Sequence, residues 1–363
     1  MAVTESDVLS ALRPIVDPDF GKSIVELGFV KGIAIEGPRV AFTIELTTPA
    51  CPVKAEFQRA AEERVRALPG VAEVAVTMTA NTRGRAVGPQ QALLPGVRNT
   101  LAVASGKGGV GKSTTAINIA LALRERGASV GLMDADVYGP SLPLLTGVRG
   151  RPDAVEKRII PLEGYGLKLM SMGFFVGEDS PVIWRGPMVH GLISQFLKDV
   201  EWGELDYLVI DLPPGTGDAA LTLTQMAPLS GAVIVTTAND LSLIDARKGL
   251  RMFEKVSVPV LGIVENMSFF VPPDLPDRRY YIFGEGGGRR VAQEIGVDFL
   301  GEVPLDPRVV EGGDKGRPIL VHAPDSDAAS AFREISGKVA RKLAVLAEQA
   351  PRAADASITW VAS

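Results

Sequence analysis

A glycine-rich segment with two lysines, residues 106–114, carries the most specific chemistry in the sequence. It reads Gly-Lys-Gly-Gly-Val-Gly-Lys-Ser-Thr and follows an apolar stretch at 101–104. The pattern G-x-x-x-x-G-K-S/T between a strand and a helix predicts a phosphate-binding loop, because glycines let backbone N–H groups surround phosphate oxygens and the helix N-terminus adds partial positive charge. The predicted nucleotide-binding residues of this loop are Gly106, Lys107, Gly108, Gly109, Val110, Gly111, Lys112, Ser113 and Thr114.

An acid at the end of a distant apolar stretch completes a magnesium site in this prediction. Lys112 is expected to reach the β and γ phosphates of ATP, and Ser113 to ligate Mg²⁺. Asp211 follows the apolar stretch 207–210 and is expected to hold Mg²⁺ through water. The alternative for Asp211 is an acid that only caps the strand end before the turn that follows.

A second pair of acids follows the apolar stretch 130–133. Asp134 and Asp136 are two residues apart, so their side chains point the same way if the chain is still extended there. One of them could then orient the water that attacks the nucleotide. Taken alone, this spacing is as consistent with an ordinary loop.

The elements that must position these residues indicate an α/β fold. Short buried strands alternate with helical stretches from residue 98 onward, which predicts a doubly wound, mostly parallel sheet covered on both faces. The first 80 residues favour the order α-β-β-α-β, a small α+β domain. The predicted strands of the larger sheet are 101–104, 130–133, 167–170, 207–210, 232–236 and 260–264. The predicted division is a small N-terminal domain at 1–80, a linker at 81–97, a P-loop ATPase domain at 98–350 and a tail at 351–363.

Composition excludes several classes of protein. The 363 residues carry a net charge of -5, which argues against a nucleic-acid partner because phosphate binding needs a concentrated positive surface. The acidic start and the absence of a long uncharged apolar run predict no secretory leader, no membrane partner and a cytoplasmic location. The apolar stripe of residues 332–346 is interpreted as core of a last helix. Cys51 is the single cysteine, so one chain alone offers neither a disulfide nor a multi-thiolate metal site.

The extra lysine of the glycine-rich segment, Lys107, resembles the signature lysine of the deviant Walker A ATPases. That class includes the MinD and ParA ATPases, the nitrogenase iron protein and the Mrp/ApbC proteins. Five further motifs look like those of the Mrp/ApbC branch: DADVYGPS at 134–141, DLPPGTGD at 211–218, LIDARKG at 243–249, VENMS at 264–268 and IFG at 282–284. The N-terminal segment, with TTPACP at 47–52, resembles the small iron-sulfur assembly domain of the PaaD and SufT families.

This resemblance implies an ATP-hydrolysing homodimer that carries iron-sulfur clusters and delivers them to apo-proteins. Two chains would sandwich two nucleotides, and Lys107 would reach the partner chain's phosphates. By the family pattern Asp136 would be the hydrolytic acid of switch I and Asp211 the acid of switch II. Asn266 would contact adenine. Hydrolysis would change how the two chains dock.

The sequence departs from the family at the cluster ligands. Carriers follow the VENMS segment with a CxxC pair, whereas this chain has Pro272 and Leu275 at those positions. Such clusters are held by four thiolates as a rule, and a dimer of this chain offers two, both Cys51. Three alternatives stay open. Cys51 supplies ligands in an unusual or shared site, the ATPase assists a cysteine-bearing cluster scaffold, or the protein no longer takes part in iron-sulfur cluster assembly.

Cys51 itself has two interpretations. A lone cysteine is commonly a buried small hydrophobe. It also lies between Pro49 and Pro52, just before a predicted helix, where the helix dipole would lower the thiol pKa and favour a reactive thiolate or an iron-sulfur ligand. The family motif favours the functional thiol.

Two other functions compete with cluster transfer. One is a MinD/ParA-like positioning ATPase that uses nucleotide to switch binding to a membrane or DNA, against which the acidic composition and the N-terminal domain count. The other is a nucleotide-gated scaffold that has lost cluster binding. We expect slow ATP turnover if the chain transfers clusters and no meaningful turnover if it is a nucleotide-gated scaffold.

Overall fold

A computed structural model describes residues 3–82, 84, 93–156, 158–176 and 186–349, with the side chains of residues 186 and 187 left out. The strands are β1 Val16–Asp17, β2 Lys22–Ser23, β3 Val30–Glu36, β4 Arg39–Leu46, β5 Glu73–Ala80, β6 Val97–Ser105, β7 Val130–Asp134, β8 Ala154–Val155, β9 Arg158–Ile159, β10 Leu162–Gly164, β11 Leu167–Ser171, β12 Leu205–Asp211, β13 Gly231–Thr236, β14 Val260–Asn266 and β15 Phe299–Val303. The helices are α1 Glu5–Leu12, α2 Lys54–Arg66, α3 Lys112–Glu125, α4 Leu142–Thr146, α5 Gly186–Lys198, α6 Asp218–Met226, α7 Asp240–Lys255, α8 Gly287–Ile295, α9 Pro307–Asp314, α10 Ile319–His322 and α11 Asp327–Gln349.

A single large sheet organises the part of the chain after residue 93. Its strand order is β10-β11-β7-β12-β6-β13-β14-β15, and every neighbouring pair is parallel except β10 with β11. The predicted doubly wound α/β fold is therefore confirmed. The edge strands β10 and β15 were not among the predicted strands, because short, partly exposed edges carry a weak apolar pattern.

Helices cover both faces of this sheet because its strands are apolar on both sides. Along β6, Leu101 and Val103 pack with α3 and α11, whereas Ala102 and Ala104 pack with α5, α6, α7 and α8. Alternate residues of a strand point to opposite faces, so a continuous apolar run fits a sheet between two layers. The apolar stripe of α11 is buried against α3 and the large sheet from Phe332 to Leu343 and partly buried at Leu346, which confirms it as core.

The N-terminal part forms a separate three-stranded sheet, β3-β4-β5. Strand β4 pairs antiparallel with β3 and parallel with β5, and helix α2 is the crossover between β4 and β5. Val40, Phe42, Ile44 and Leu46 alternate along β4 into a core shared with α1 and α2. The predicted α-β-β-α-β order is confirmed, with the two-residue strands β1 and β2 inserted after α1.

A closed seam joins the small sheet domain to the large one. Thr48 and Tyr207 are 2% and 1% exposed, and their hydroxyls lie 2.6 Å apart near the start of β12. Ala50 is buried within the apolar core that α3 and α11 form with the large sheet. Asp19 and Arg341 pair across the same seam at 3.6 Å. The seam therefore lies at the opposite end of β12 from Asp211.

Candidate nucleotide site

The loop between β6 and α3 needs glycine at defined positions. Gly109 and Gly111 have φ angles of +80° and +81°, in the left-handed region that side chains rarely adopt. A Cβ on Gly106 would lie 2.2 Å from the backbone of Asp245 in α7. The loop therefore depends on glycine for its backbone conformation and for its close approach to α7, and it leads directly into the N-terminus of α3, where a phosphate is favoured.

A buried ion pair lies beneath this loop. The Lys112 ammonium donates to the Asp211 carboxylate at 2.5 Å, and the two residues are 6% and 3% exposed. They meet because β6 and β12 are neighbours in the parallel sheet, so both strands deliver their carboxyl ends to the same edge. Burial raises the pKa of Asp211, and the Lys112 charge works against that rise. The predicted phosphate lysine and the predicted magnesium acid are therefore brought together.

The oxygen atoms beside Lys112 suit a Mg²⁺ ion. The Ser113 hydroxyl accepts a hydrogen bond from the Lys112 ammonium at 3.3 Å, so hydroxyl and carboxylate oxygens lie around one lysine. Hard oxygen ligands of this kind are those that Mg²⁺ prefers. When bound, Mg²⁺ would neutralise charge on the β and γ phosphates, with Ser113 and Asp211 as its holders.

Asp134 positions the loop that follows β7. One of its carboxylate oxygens accepts hydrogen bonds from the backbone N–H groups of Ser141 and Leu142 at 3.0 and 3.2 Å and from the Ser171 hydroxyl at 3.0 Å. The other accepts from the Asp136 N–H at 3.1 Å. Burial, and then the nearby Asp211, raise the pKa of Asp134 to about 7. This positioning role was missed from the sequence, although an acid ending a buried strand was its signal.

Asp136 occupies a different environment from Asp134. Strand β7 ends at Asp134, so the extended geometry needed for the two side chains to point the same way does not continue. Asp136 is half-exposed and accepts a hydrogen bond from the Gly139 N–H at 3.2 Å. Its charge is close enough to raise the pKa of Asp211. Asp136 therefore lies at the solvent side of the group formed by Lys112, Ser113 and Asp211.

Asn266, at the end of β14, forms a hydrogen bond with the backbone of the glycine-rich loop. Its side-chain N–H donates to the Val110 carbonyl at 2.9 Å, and the residue is 7% exposed. A Cβ on Gly111 would lie 2.1 Å from the same amide nitrogen. The predicted adenine contact of Asn266 stays a prediction. Its contact with the loop is a role that sequence reasoning missed, because 156 residues separate the partners.

Lys107 lies at the rim of the site. Its side chain is half-exposed, and its carbonyl accepts a hydrogen bond from the Ser105 hydroxyl at 2.8 Å. The remaining loop residues, Gly108 and Gly109, are exposed beside it, while Thr114 lies in the first turn of α3. A reach of Lys107 toward a partner chain stays a prediction.

Cys51 lies in the domain seam and not at the nucleotide site. The half-buried thiol packs against the apolar core of the small domain, and the adjacent Pro52 lies beside Gly337 of α11. The expected lowering of its pKa by the helix dipole is wrong: burial raises the pKa of the Cys51 thiol, and a hydrogen bond from the Val53 N–H opposes that rise only in part. A functional role for the Cys51 thiol stays a prediction.

The residues at the place of the missing cysteine pair lie in the connection from β14 to α8. Pro272 is half-buried and Leu275 is 41% exposed. Within the described ranges, no group of three or more His, Cys, Asp or Glu side chains is arranged to hold a metal ion. In the same part of the chain, no helix has the length and apolarity to cross a membrane.

Comparison with known proteins agrees with both parts of this architecture. Residues 96–340 match the family described as NUBPL iron-transfer P-loop NTPase, and residues 5–76 match the iron-sulfur cluster assembly protein family. The chain is 51% identical to an iron-sulfur cluster carrier protein of Synechocystis over 95% of this chain and 99% of that one.

Two further relatives cover the larger domain. The mouse iron-sulfur cluster transfer protein NUBPL is 50% identical over 70% of this chain and 81% of its own. A nucleotide-binding protein from Archaeoglobus fulgidus, solved in complex with ADP, is 38% identical with a TM-score of 0.58, over 67% of this chain and 95% of that one. The chain belongs to the NUBPL/Mrp family of iron-sulfur carrier P-loop NTPases, with an N-terminal iron-sulfur cluster assembly domain.

Proposed function

We propose that the chain is an ATP-hydrolysing homodimer that moves iron-sulfur clusters to apo-proteins, acting together with a cysteine-bearing partner. The observation that carries the nucleotide half of this proposal is the buried pair of Lys112 and Asp211 under the glycine-rich loop. Burying an ion pair adds little to the free energy of unfolding, so stability alone does not explain this pair. A lysine and an acid at this place could instead bind the phosphates of a nucleotide and its metal ion.

The positions of the site residues support the following proposed roles in hydrolysis. Lys112 would leave Asp211 to contact the β and γ phosphates, while Asp136, on the solvent side, would orient the attacking water. Lys107 on the rim would add positive charge to the partner chain's nucleotide as negative charge develops there. We expect slow ATP turnover, because hydrolysis in such a switch serves to change how the two chains dock.

The relatives' names support iron-sulfur clusters as the cargo. This chain has one cysteine, so a homodimer offers two of the four thiolates that a cluster of this type takes as a rule. We therefore propose that a cysteine-bearing scaffold or the recipient apo-protein supplies the remaining ligands. The cytoplasmic location and the absence of nucleic-acid and membrane partners stay predictions.

Anaerobic reconstitution with iron and sulfide tests the cargo. Wild type, Cys51→Ser and Cys51→Ala are compared by iron and labile sulfide per dimer and by absorbance of the thiolate-to-iron bands, alone and with a cysteine-bearing scaffold protein. Cluster that binds only when the partner is present, or that needs Cys51, supports the proposal.

A second candidate, a nucleotide-gated scaffold that has lost cluster binding, is favoured by the proline and leucine at the cysteine positions. ATP binding without turnover, and without cluster under any of these conditions, would establish that candidate instead. Turnover in wild type that is lost in Asp136→Asn with ATP binding retained would exclude it.

A further inference from the structure

The last two residues of β14 hold two different parts of the molecule. Asn266 donates to the Val110 carbonyl of the glycine-rich loop at 2.9 Å. Glu265 accepts a hydrogen bond from the Gly288 N–H, in the first turn of α8, at 2.6 Å. Adjacent residues of a strand point to opposite faces, so one strand end contacts the nucleotide loop on one side and helix α8 on the other.

The contact between Glu265 and α8 is tight and costly. Glu265 is 1% exposed, and its second carboxylate oxygen has no hydrogen-bond partner among the described residues. A Cβ on Gly288 would lie 3.0 Å from the accepting oxygen, and a Cβ on Gly287 would lie 2.4 Å from the Ala238 carbonyl. Burying a half-satisfied carboxylate is unfavourable for folding. A group that costs the fold free energy in this way is a candidate for a role beyond stability.

These two contacts bracket one surface segment, residues 267–286, which we name the aromatic loop. It begins at Met267, whose φ angle of +52° lies in the left-handed region and is strained for a residue with a side chain. Backbone hydrogen bonds of 2.9 Å in both directions between Phe270 and Tyr280 close its middle. Its end presents exposed apolar side chains, with Ile282 59% and Phe283 37% exposed.

We propose that Glu265 and Asn266 act as a relay that couples nucleotide at the glycine-rich loop to the conformation of the aromatic loop. This inference rests on the proposed nucleotide binding and adds a route by which it is communicated. The Asn266 amide bonds the Val110 carbonyl and lies close to Gly111, so a movement of these two residues alters its hydrogen bond or carries it along. A shift of the β14 end moves Glu265 with it, and Glu265 fixes the first turn of α8. Met267, already strained, absorbs the change between them.

Glu265 is in this view a positioning residue. It touches no nucleotide, and its partner is the Gly288 backbone at the far end of the aromatic loop. Residue Glu302 provides a matched control, because its carboxylate also contacts α8, through a surface ion pair of 3.2 Å with Arg289. Glu302 lies beside Glu265 on the neighbouring strand β15, but it is not on the strand that carries Asn266.

Hydrogen exchange with mass spectrometry tests the relay on the full chain. Exchange of peptides within 267–286 is compared without nucleotide and with Mg-ATP at concentrations that saturate each variant, as set by calorimetric titration. We expect ATP to change exchange of this segment at least fivefold in wild type, Glu302→Ala and Glu265→Gln, since the glutamine oxygen still accepts from Gly288. In Glu265→Ala the change is expected to fall below twofold.

The outcomes separate the two proposals. If calorimetry shows that wild type binds ATP but hydrogen exchange of the aromatic loop does not change, the relay is overturned and the proposed nucleotide site is not. This comparison needs no variant. A Glu265→Ala response equal to that of wild type also overturns the relay. Wild type that does not bind ATP overturns the proposed function itself.

Discussion

Replacing Thr48 by Val should open the seam between the two domains. The Thr48 hydroxyl is the partner of the Tyr207 hydroxyl at 2.6 Å and also accepts from the Ala50 N–H at 3.1 Å. Valine keeps the shape of threonine but has no hydroxyl. Tyr207, 1% exposed, would keep a buried hydroxyl without a partner in the closed seam and regain water when the seam opens.

The size of the effect follows from this geometry. Leaving a buried polar group unpaired costs about 1–3 kcal/mol. We take about 2 kcal/mol for the closed form, which at about 1.4 kcal/mol per factor of ten raises the open fraction about 30-fold. Tyr207→Phe removes one partner and leaves Thr48 its bond with Ala50, so we expect about 1 kcal/mol and about a fivefold effect.

Cys51 provides the assay, because it is the single thiol and lies half-buried in the seam. Its rate of reaction with an aromatic disulfide reagent reports the open fraction when the seam opens and closes faster than the reagent reacts. We expect Thr48→Val to react about 30-fold faster than wild type and Thr48→Ser to stay within about threefold. Tyr207→Phe, 156 positions from Cys51, shows whether the whole seam responds and not only the neighbourhood of residue 48.

The double variant gives the sharpest check. When both partners are replaced by apolar groups, neither hydroxyl is left buried and unpaired, so the double variant should react more slowly than the product of the two single effects predicts. Wild-type reaction rates in Thr48→Val and Tyr207→Phe would refute the reasoning. So would effects that multiply without coupling.

The remaining predictions concern the nucleotide site. Lys112→Ala should abolish ATP binding, because it removes the cation beneath the loop, whereas Lys107→Ala should keep ATP binding and lose hydrolysis and dimerisation. Calorimetry measures ATP binding, phosphate release measures hydrolysis and light scattering measures dimerisation. Equal defects in both variants would contradict this division of roles. For Asp134, a pKa raised to about 7 means that the folded chain binds a proton that the unfolded chain releases near its ordinary value of 3.8. The free energy of unfolding should therefore fall as the pH rises from about 4 to 7, by up to about 3 kcal/mol between pH 5 and 8 at about 1.4 kcal/mol per unit. Asp134→Asn should flatten this slope in urea unfolding at the two pH values; an unchanged slope would assign the titration to another group.

The phosphate loop was predictable from the sequence because its chemistry is local. Glycines at fixed spacing, a lysine and a hydroxyl after them, and a strand before them specify the loop without reference to the rest of the chain. The buried strands were predictable for a similar reason, since short runs that are apolar on both faces and alternate with helical stretches are typical of a sheet covered on both sides. Asp211 could be proposed as the magnesium acid because it ends a buried apolar strand, but its contact with Lys112 depends on β6 and β12 being neighbours in the sheet.

Tertiary structure alone decided which distant residues meet. Asn266 reaches Val110 across 156 residues, and Thr48 reaches Tyr207 across 159. No local pattern encodes such pairs, because each depends on how every intervening element packs. The direction of the Cys51 pKa is of the same kind: its place before α2 suggested a lowered value, but burial in the seam raises it. The sequence specifies the chemical groups and their local geometry. Burial sets the free-energy cost and the pKa of those groups, and it exists only once the whole chain has folded.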